Sequence, residues 1–124
     1  MNVLITDRDL GFAFWLGQML GQAGYKALPA TDFESAIELI DLWTPDIGLL
    51  IVDPCAPGTE AFANSMRCRF PAMKIIAAVE DDYEDPWPPF VDTFQFKPRS
   101  EFQDAEEQWL RVVSDVLAPC AVMQ

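Results

Sequence analysis

The sequence predicts an α/β domain built on a five-stranded parallel sheet with helices on both faces. Short apolar runs alternate along the chain with segments whose apolar residues recur at helical spacing. The run Ile47–Val52 contains five apolar residues and one glycine, which is typical of a central strand covered on both faces. Right-handed crossovers between five such strands favour the strand order 2-1-3-4-5.

The chain opens with a strand and a helix. Residues 3–5 are uninterruptedly apolar and predict the first strand. Helical spacing of apolar residues follows over residues 10–24. Asp9 is a suitable N-cap for this helix, and Gly24 is a suitable residue to end it.

A second strand, residues 25–28, leads into the second predicted helix. Thr31 and Glu34 fit a capping box, with Thr31 as the N-cap, and the helix should end before Pro45. The strand Ile47–Val52 comes next and stops at Asp53.

The second half predicts a helix over residues 59–68, a buried strand over residues 73–79 and a last strand over residues 90–96. Ser100 and Gln103 fit a second capping box for a final helix that runs to about Leu117. We expect one domain over residues 1–118 and a short C-terminal tail over residues 119–124.

Composition excludes several function classes. The formal net charge of −12 argues against binding to nucleic acid or to an anionic membrane. The chain lacks histidine, which removes imidazole-based catalysis and imidazole zinc sites. Three scattered cysteines and no apparent signal peptide or membrane span favour a cytoplasmic protein with reduced thiols.

Two carboxylates follow strands that should be neighbours in the sheet. Asp7 follows the first strand and Asp53 the third. Ligands of open α/β sheets bind at the carboxyl ends of the strands, where the strand order reverses. The sequence therefore places a candidate site at Asp7 and Asp53.

At this point the chain resembles a response-regulator receiver domain over nearly its whole length, residues 3–117. Members of that family carry acids after the first strand, a phosphoacceptor aspartate after the third and a lysine-proline pair after the fifth. An aromatic switch residue precedes the lysine by three positions. The matching residues here are Asp7, Asp53 with Pro57-Gly58, Phe94 and Lys97-Pro98.

The resemblance implies a flavodoxin-like fold and a place in phosphorelay signalling. It implies Asp53 as the phosphoacceptor, Lys97 as the contact to the phosphoryl group, and Mg²⁺ held by Asp7, Asp53 and the backbone carbonyl of Cys55. It implies a histidine kinase or phosphotransfer protein as the donor and a downstream protein as the target. A second copy of the chain is a further candidate partner.

The chain departs from the family pattern at two positions. The second acid of the family's pair is Arg8 here, and its positive charge opposes a cation; Asp9 is an alternative ligand, although we favour its capping role. The family's hydroxyl residue after the fourth strand is Ala78, which cannot donate a hydrogen bond to a phosphoryl group or couple it to Phe94.

Residues 80–89 replace part or all of a helix that the family usually has. The segment is acidic and then proline-rich, and three prolines in four residues preclude a regular helix. Tyr83 and Trp87 fit either a partner surface or a lid on the sheet edge, while the acidic residues fit a solvated run.

Two other functions compete with a phosphorylated receiver. A degenerate receiver could bind partners without phosphorylation, as Arg8 and Ala78 suggest. A haloacid-dehalogenase-like phosphatase would use Asp7 as nucleophile and Asp9 as acid, but it leaves Asp53 and Pro57-Gly58 unexplained.

Overall fold

The computed structural model describes residues 1–43, 46–80, 83–84, 88–98 and 103–117, with the backbone alone at 103 and 104. Five parallel strands form one sheet in the order β2-β1-β3-β4-β5. This is the predicted order, and all four adjacent pairs are parallel. The right-handed crossover rule and the apolar runs were therefore sufficient to predict the topology.

The strands are β1 (Asn2–Thr6), β2 (Lys26–Ala30), β3 (Ile47–Val52), β4 (Lys74–Val79) and β5 (Thr93–Phe96). The strand β2 begins one residue later and ends two residues later than predicted, and it includes Pro29. Since β2 lies at the edge of the sheet, its proline does not need to donate to a second neighbouring strand. The predicted strand ended at residue 28, directly before this proline.

The helix α1 (Leu10–Gln22) has a defined cap at each end. The Oδ1 atom of Asp9 accepts a hydrogen bond from the Phe12 amide at 3.2 Å, as the sequence predicted for an N-cap. At the other end Gly24 has φ +98°. The amide of Tyr25 donates to the Leu20 carbonyl at 3.0 Å and that of Gly24 to the Gly21 carbonyl at 3.2 Å, which is a complete Schellman motif.

The helix α2 (Phe33–Trp43) corrects one capping prediction. The Oδ1 atom of Asp32, not the side chain of Thr31, accepts the hydrogen bond from the Ser35 amide, at 2.7 Å. This bond lowers the pKa of Asp32, since it favours the ionised carboxylate. A carboxylate directly after the threonine is the stronger acceptor, which displaces the predicted cap by one residue.

The helices α3 (Thr59–Arg69) and α4 (Gln103–Leu117) complete the fold. Gly58 precedes α3 with φ +83°, a conformation that favours glycine. On α4, the indole Nε1 of Trp109 donates to the Phe96 carbonyl at 3.1 Å, which attaches the helix to the end of β5. Of the second capping box, Ser100 and the side chain of Gln103 lie outside the described residues. The predicted tail, residues 119–124, and Pro45 also lie outside them.

Alternate residues of the central strands point to opposite faces of the sheet, as strand geometry requires. One face packs against α1 and α4 through Val3, Ile5, Leu49, Ile51, Ile76 and Trp109. The other face packs against α2 and α3 through Leu4, Leu50, Val52, Ile75, Phe62 and Met66. The sheet is thus covered on both sides, which leaves its carboxyl edge as the place for polar side chains.

The connection from β4 to β5 contains no helix among its described residues, 80, 83–84 and 88–92. β5 begins at Thr93 rather than near Phe90, which instead is buried in the core on the α3 side. Arg67 of α3 holds the end of the connection. Its guanidinium donates to Asp92 at 2.9 Å and to the Phe90 carbonyl at 3.3 Å.

None of the described helices is both long enough and apolar enough to cross a membrane.

Candidate functional site

Asp7 and Asp53 lie side by side because the strands that precede them are paired. Thr6, the last residue of β1, is in register with Val52, the last residue of β3. The next residue along each strand is therefore a carboxylate at the same edge of the sheet. The tertiary structure brings together the two acids that the sequence singled out.

Asp7 forms a buried ion pair with Lys97. The Nζ atom of Lys97 lies 2.8 Å from Oδ2 and 3.1 Å from Oδ1 of Asp7. Asp7 is 4% exposed and Lys97 is 9% exposed. Oδ1 also accepts the Asp9 amide at 2.9 Å, whereas Oδ2 has the ion-pair contact without an aligned hydrogen bond among the described residues. The carboxylate and the ammonium neutralise each other where water is largely excluded.

The ammonium of Lys97 is held in its charged form. Burial alone would lower its pKa, but the hydrogen bond and the charge of Asp7, together with the charges of Asp53 and Glu80, outweigh burial. The pKa of Lys97 is consequently raised above its ordinary value of 10.5. Its Nζ atom also lies 5.4 Å from the ring centroid of Phe12, a distance at which the ring face attracts a cation.

Asp53 lies on a loop whose shape is fixed by local hydrogen bonds. Its Oδ1 atom accepts the amide of Cys55 at 2.9 Å. Its backbone carbonyl accepts the amide of Ala56 at 3.2 Å and the hydroxyl of Thr59 at 2.9 Å. The same hydroxyl contacts the Ala56 carbonyl at 2.7 Å. These hydrogen bonds close the loop, and Asp53 itself is half-buried and lines a cleft.

A cleft of about 120 Å³ opens beside these acids. Its residues come from the ends of β1 and β3, the start of α2 and the loop before α3. They are Thr6, Asp7, Arg8, Thr31, Asp32, Phe33, Asp53, Ala56 and Pro57. Lys97 does not line this cleft; it contacts the Asp7 carboxylate that does. The cleft therefore holds three acids and the exposed Arg8.

The sequence matches no family model, and no curated protein matches it. Solved structures do match. NtrX from Brucella abortus, in complex with ADP, gives a TM-score of 0.76 at 17% identity over 94% of this chain. The chain spans 26% of the NtrX chain.

Two shorter proteins match along nearly their whole length. The chemotaxis protein CheY4 of Vibrio cholerae gives a TM-score of 0.73 at 18% identity over 94% of this chain and 98% of its own. The response regulator TrrA of Thermotoga maritima, in complex with Mg²⁺-BeF, gives 0.63 at 21% identity over 90% and 97%.

The chain has the receiver fold. The predicted flavodoxin-like order of strands is confirmed, and so is the resemblance that the motifs indicated, at the level of the fold. Because identities near 20% accompany TM-scores above 0.6, the course of the backbone is shared while most residues differ.

The receiver fold places the two predicted switch positions at β4 and β5. Ala78 is fully buried among core residues that include Ile76 and Trp109. Phe94 is half-buried, pairs with Ala77 across the strands and stacks edge-on against Phe96 at a centroid distance of 5.2 Å. Ala78 fills space in the core and offers no donor to a ligand.

The Mg²⁺ implied by the receiver resemblance fits these residues poorly. Both oxygens of Asp7 lie within 3.1 Å of the Lys97 ammonium, and Asp9 uses Oδ1 as a helix cap. Arg8 lines the same cleft. Among the described residues, no three acidic or thiol side chains are grouped to hold a metal ion.

Sequence reasoning missed three contributors to the site. Glu80 Oε1 lies 3.8 Å from Nζ of Lys97, and Phe12 lies beneath the same ammonium. Thr59, predicted merely as the start of a helix, is buried and closes the Asp53 loop. Glu80 could have been found, since it follows β4 as Lys97 follows β5, and the two strand ends are paired. Tyr83 is half-buried, while Trp87 lies outside the described residues.

Proposed function

We propose that this domain is an atypical receiver in phosphorelay signalling, in which Asp53 accepts a phosphoryl group and the domain acts through protein contacts. The observation that supports this most strongly is the buried Asp7–Lys97 ion pair at the strand end next to Asp53. An ion pair buried at a cleft is costly to maintain for stability alone, because both charges must be desolvated.

The charges around the cleft favour transfer of a phosphoryl group to the carboxylate of Asp53. Asp53 is half-buried at the cleft, while its Oδ1 is positioned by the Cys55 amide. Lys97 supplies a fixed positive charge whose field reaches Asp53, as the raised pKa of Lys97 reflects. A fixed cation near the transferred group stabilises the charge on the phosphoryl oxygens during transfer.

The proposed reaction is a simple exchange of bonds. A carboxylate oxygen of Asp53 attacks the phosphorus of a phosphohistidine on a histidine kinase or phosphotransfer protein. The P–N bond breaks, its electron pair stays on the imidazole nitrogen of the donor, and a P–O bond forms at Asp53. The charge of −12 is suited to partners with a basic docking surface.

Arg8 limits the role that a metal could have in this reaction. If Mg²⁺ binds, Asp7, Asp53 and the Cys55 carbonyl are the ligands that the receiver resemblance offers. A guanidinium in the same cleft repels that cation, so we propose weak Mg²⁺ binding.

Output is proposed to differ from that of receivers with a hydroxyl after β4. Ala78 is buried and cannot pull the following loop towards a phosphoryl group. Phe94 pairs with Ala77 and contacts Phe96, and the methyl side chain of Ala78 has no hydrogen-bonding atom that could couple Phe94 to the cleft. The downstream protein would instead read the altered charge at the cleft itself.

Phosphorylation is tested by incubating the protein with acetyl phosphate, with and without Mg²⁺, and measuring intact mass. We expect the wild-type protein to gain one hydroxylamine-labile phosphoryl group and Asp53→Asn to gain none. Asp46→Asn, which alters an exposed aspartate before the opposite end of β3, should behave as wild type. If the wild-type protein gains no phosphoryl group under either condition, the proposal is wrong.

The second candidate is an interaction module that is never phosphorylated. Arg8 in the cleft and the buried Ala78 favour it, because both depart from the receiver pattern at functional positions. Failure of phosphorylation with retained partner binding by Asp53→Asn would select this candidate. The phosphatase alternative is weakened because its acid, Asp9, caps α1.

A further inference from the structure

The cleft beside Asp53 contains a positive charge, Arg8, where the receiver pattern has a second acid. Arg8 is exposed, lines the cleft, and forms no ion pair with any described carboxylate. Three aspartates line the same cleft, namely Asp7, Asp32 and Asp53. An arginine that lies among acids without pairing to one keeps its five N–H donors available to an incoming anion.

The carboxylate of Asp7, which a metal ion would need as a ligand, already binds other groups of the protein. Asp7 directs one oxygen to both the Lys97 ammonium and the Asp9 amide, and the other oxygen to Lys97 at 2.8 Å. A divalent cation would have to displace an ammonium that is buried and held in its charged form. It would also have to do so beside the charge of Arg8, which cannot be discharged by deprotonation.

We propose that Arg8 takes the place of a divalent cation, so that the cleft binds the phosphoryl group directly and Asp53 is phosphorylated without metal. This inference rests on the proposed function and identifies the cofactor requirement of the same site. A planar guanidinium can donate two parallel hydrogen bonds to phosphoryl oxygens, and it carries positive charge where a metal would have supplied it.

The step balances without a metal and without proton transfer. With acetyl phosphate as donor, an ionised oxygen of Asp53 forms the new P–O bond. The bond between phosphorus and the acetate oxygen breaks, and acetate leaves with that electron pair. Arg8 contacts the phosphoryl oxygens before and after transfer, and Lys97 remains protonated throughout.

The test is the rate of phosphorylation by acetyl phosphate in excess EDTA and in millimolar Mg²⁺, measured by intact mass. We expect the wild-type rate to be the same in both conditions. Arg8→Gln should slow it at least about tenfold in EDTA, because one charge-assisted contact to the transferred group is lost. The rate of Arg8→Lys in EDTA should fall between those of wild type and Arg8→Gln, since lysine keeps the charge and loses the planar pair of donors.

Arg111→Gln is the matched control, because Arg111 is an exposed arginine on α4 and the change in net charge is identical. It should react at the wild-type rate. A circular-dichroism melt of each variant checks that the exposed substitutions leave the fold intact.

The outcomes separate the inference from the proposed function. Phosphorylation of wild type that requires Mg²⁺ would overturn the inference and leave the phosphoacceptor role standing. Equal rates for Arg8→Gln and wild type in EDTA would also overturn it. No phosphoryl transfer in either condition would overturn both.

Discussion

The carboxyl edge of the sheet has two contrasting regions. At the ends of β1, β3 and β5, charged groups converge: Asp7 and Lys97 in a buried pair, with Asp53 beside them. Near the end of β4, Ala78 is buried without a polar atom in its side chain, and the described residues between β4 and β5 form no helix. The charge that follows this strand, Glu80, belongs with the first region, because it approaches Lys97 at 3.8 Å.

Under the proposed function, the first region would accept the phosphoryl group, whereas in receivers with a hydroxyl after β4 the second would pass the change on to the rest of the domain. The first region retains groups that could bind and receive an anion, and it bears the cost of burying them. The second region is built for packing, and its connection to β5 is tied down by Arg67 and Asp92. Under the proposed function, a domain with these two regions would accept a phosphoryl group at the first, while the second offers no side-chain hydroxyl at Ala78 to respond to it.

The largest effect is expected from removing Lys97. Lys97→Met leaves Asp7 buried without its counter-charge and should lower the free energy of unfolding by about 3–5 kcal/mol. Urea denaturation measures this free energy of unfolding. The double variant Asp7→Asn with Lys97→Met should recover much of the loss, and Lys26→Met on the exposed edge strand should cost little. If Lys97→Met were as stable as wild type, the Asp7–Lys97 pair would not contribute to the stability of the charged region.

The second region can be loosened at Asp92. Asp92→Ala removes the acceptor of the Arg67 guanidinium at 2.9 Å and of the Ile75 amide at 2.8 Å. We expect unfolding to become easier by about 1–3 kcal/mol. Asp41→Ala is the control, because its pair with Arg69 is largely exposed and should contribute at most about 1 kcal/mol. Equal losses in the two variants would mean that the connection is not specially anchored.

Reversing the charge at Arg8 should sharpen the contrast. Arg8→Asp supplies an acid to the cleft and removes a repelling cation, so Mg²⁺ affinity should rise about tenfold or more, equivalent to ~1.4 kcal/mol. Isothermal titration calorimetry measures this affinity. Arg111→Asp repeats the charge change on α4 and should leave Mg²⁺ binding nearly unaltered. Unchanged affinity in Arg8→Asp would show that Arg8 does not act on the cleft.

The smallest effect is an alkaline loss of stability. Because the pKa of Lys97 is raised by folding, its contribution is fully present below the unfolded value of 10.5 and is lost as pH rises through the folded value. The urea midpoint of wild type should therefore fall above about pH 10.5 more steeply than that of Lys97→Met. Parallel curves for the two proteins would contradict the raised pKa.

Prediction from sequence succeeded where the signal was local or periodic. The apolar run Ile47–Val52, the cap at Asp9 and the stop at Gly24 lie within single elements, and each was identified correctly. It was wrong at Thr31, because two adjacent residues can both cap a helix, and at β2, because an edge strand tolerates Pro29. Predicting these details requires knowing that β2 lies at the edge of the sheet and which side chain the Ser35 amide reaches.

The site was predicted in outline. Asp7 and Asp53 were singled out by their place after neighbouring strands, since parallel strands end at one edge, and Lys97 was added by the resemblance to receiver domains. The direct pairing of Lys97 with Asp7, the approach of Glu80 and the position of Phe12 beneath the ammonium were not. These depend on distances between side chains that are separated by up to 90 residues in the chain.

The sequence alone determined the order of strands and helices and both ends of α1, because apolar periodicity and capping act over a few neighbouring residues. The tertiary structure alone decided which charges meet. An ion pair such as Asp7–Lys97 depends on the register of strands, the exclusion of water and the direction of each side chain, and none of these is a property of a local stretch of sequence.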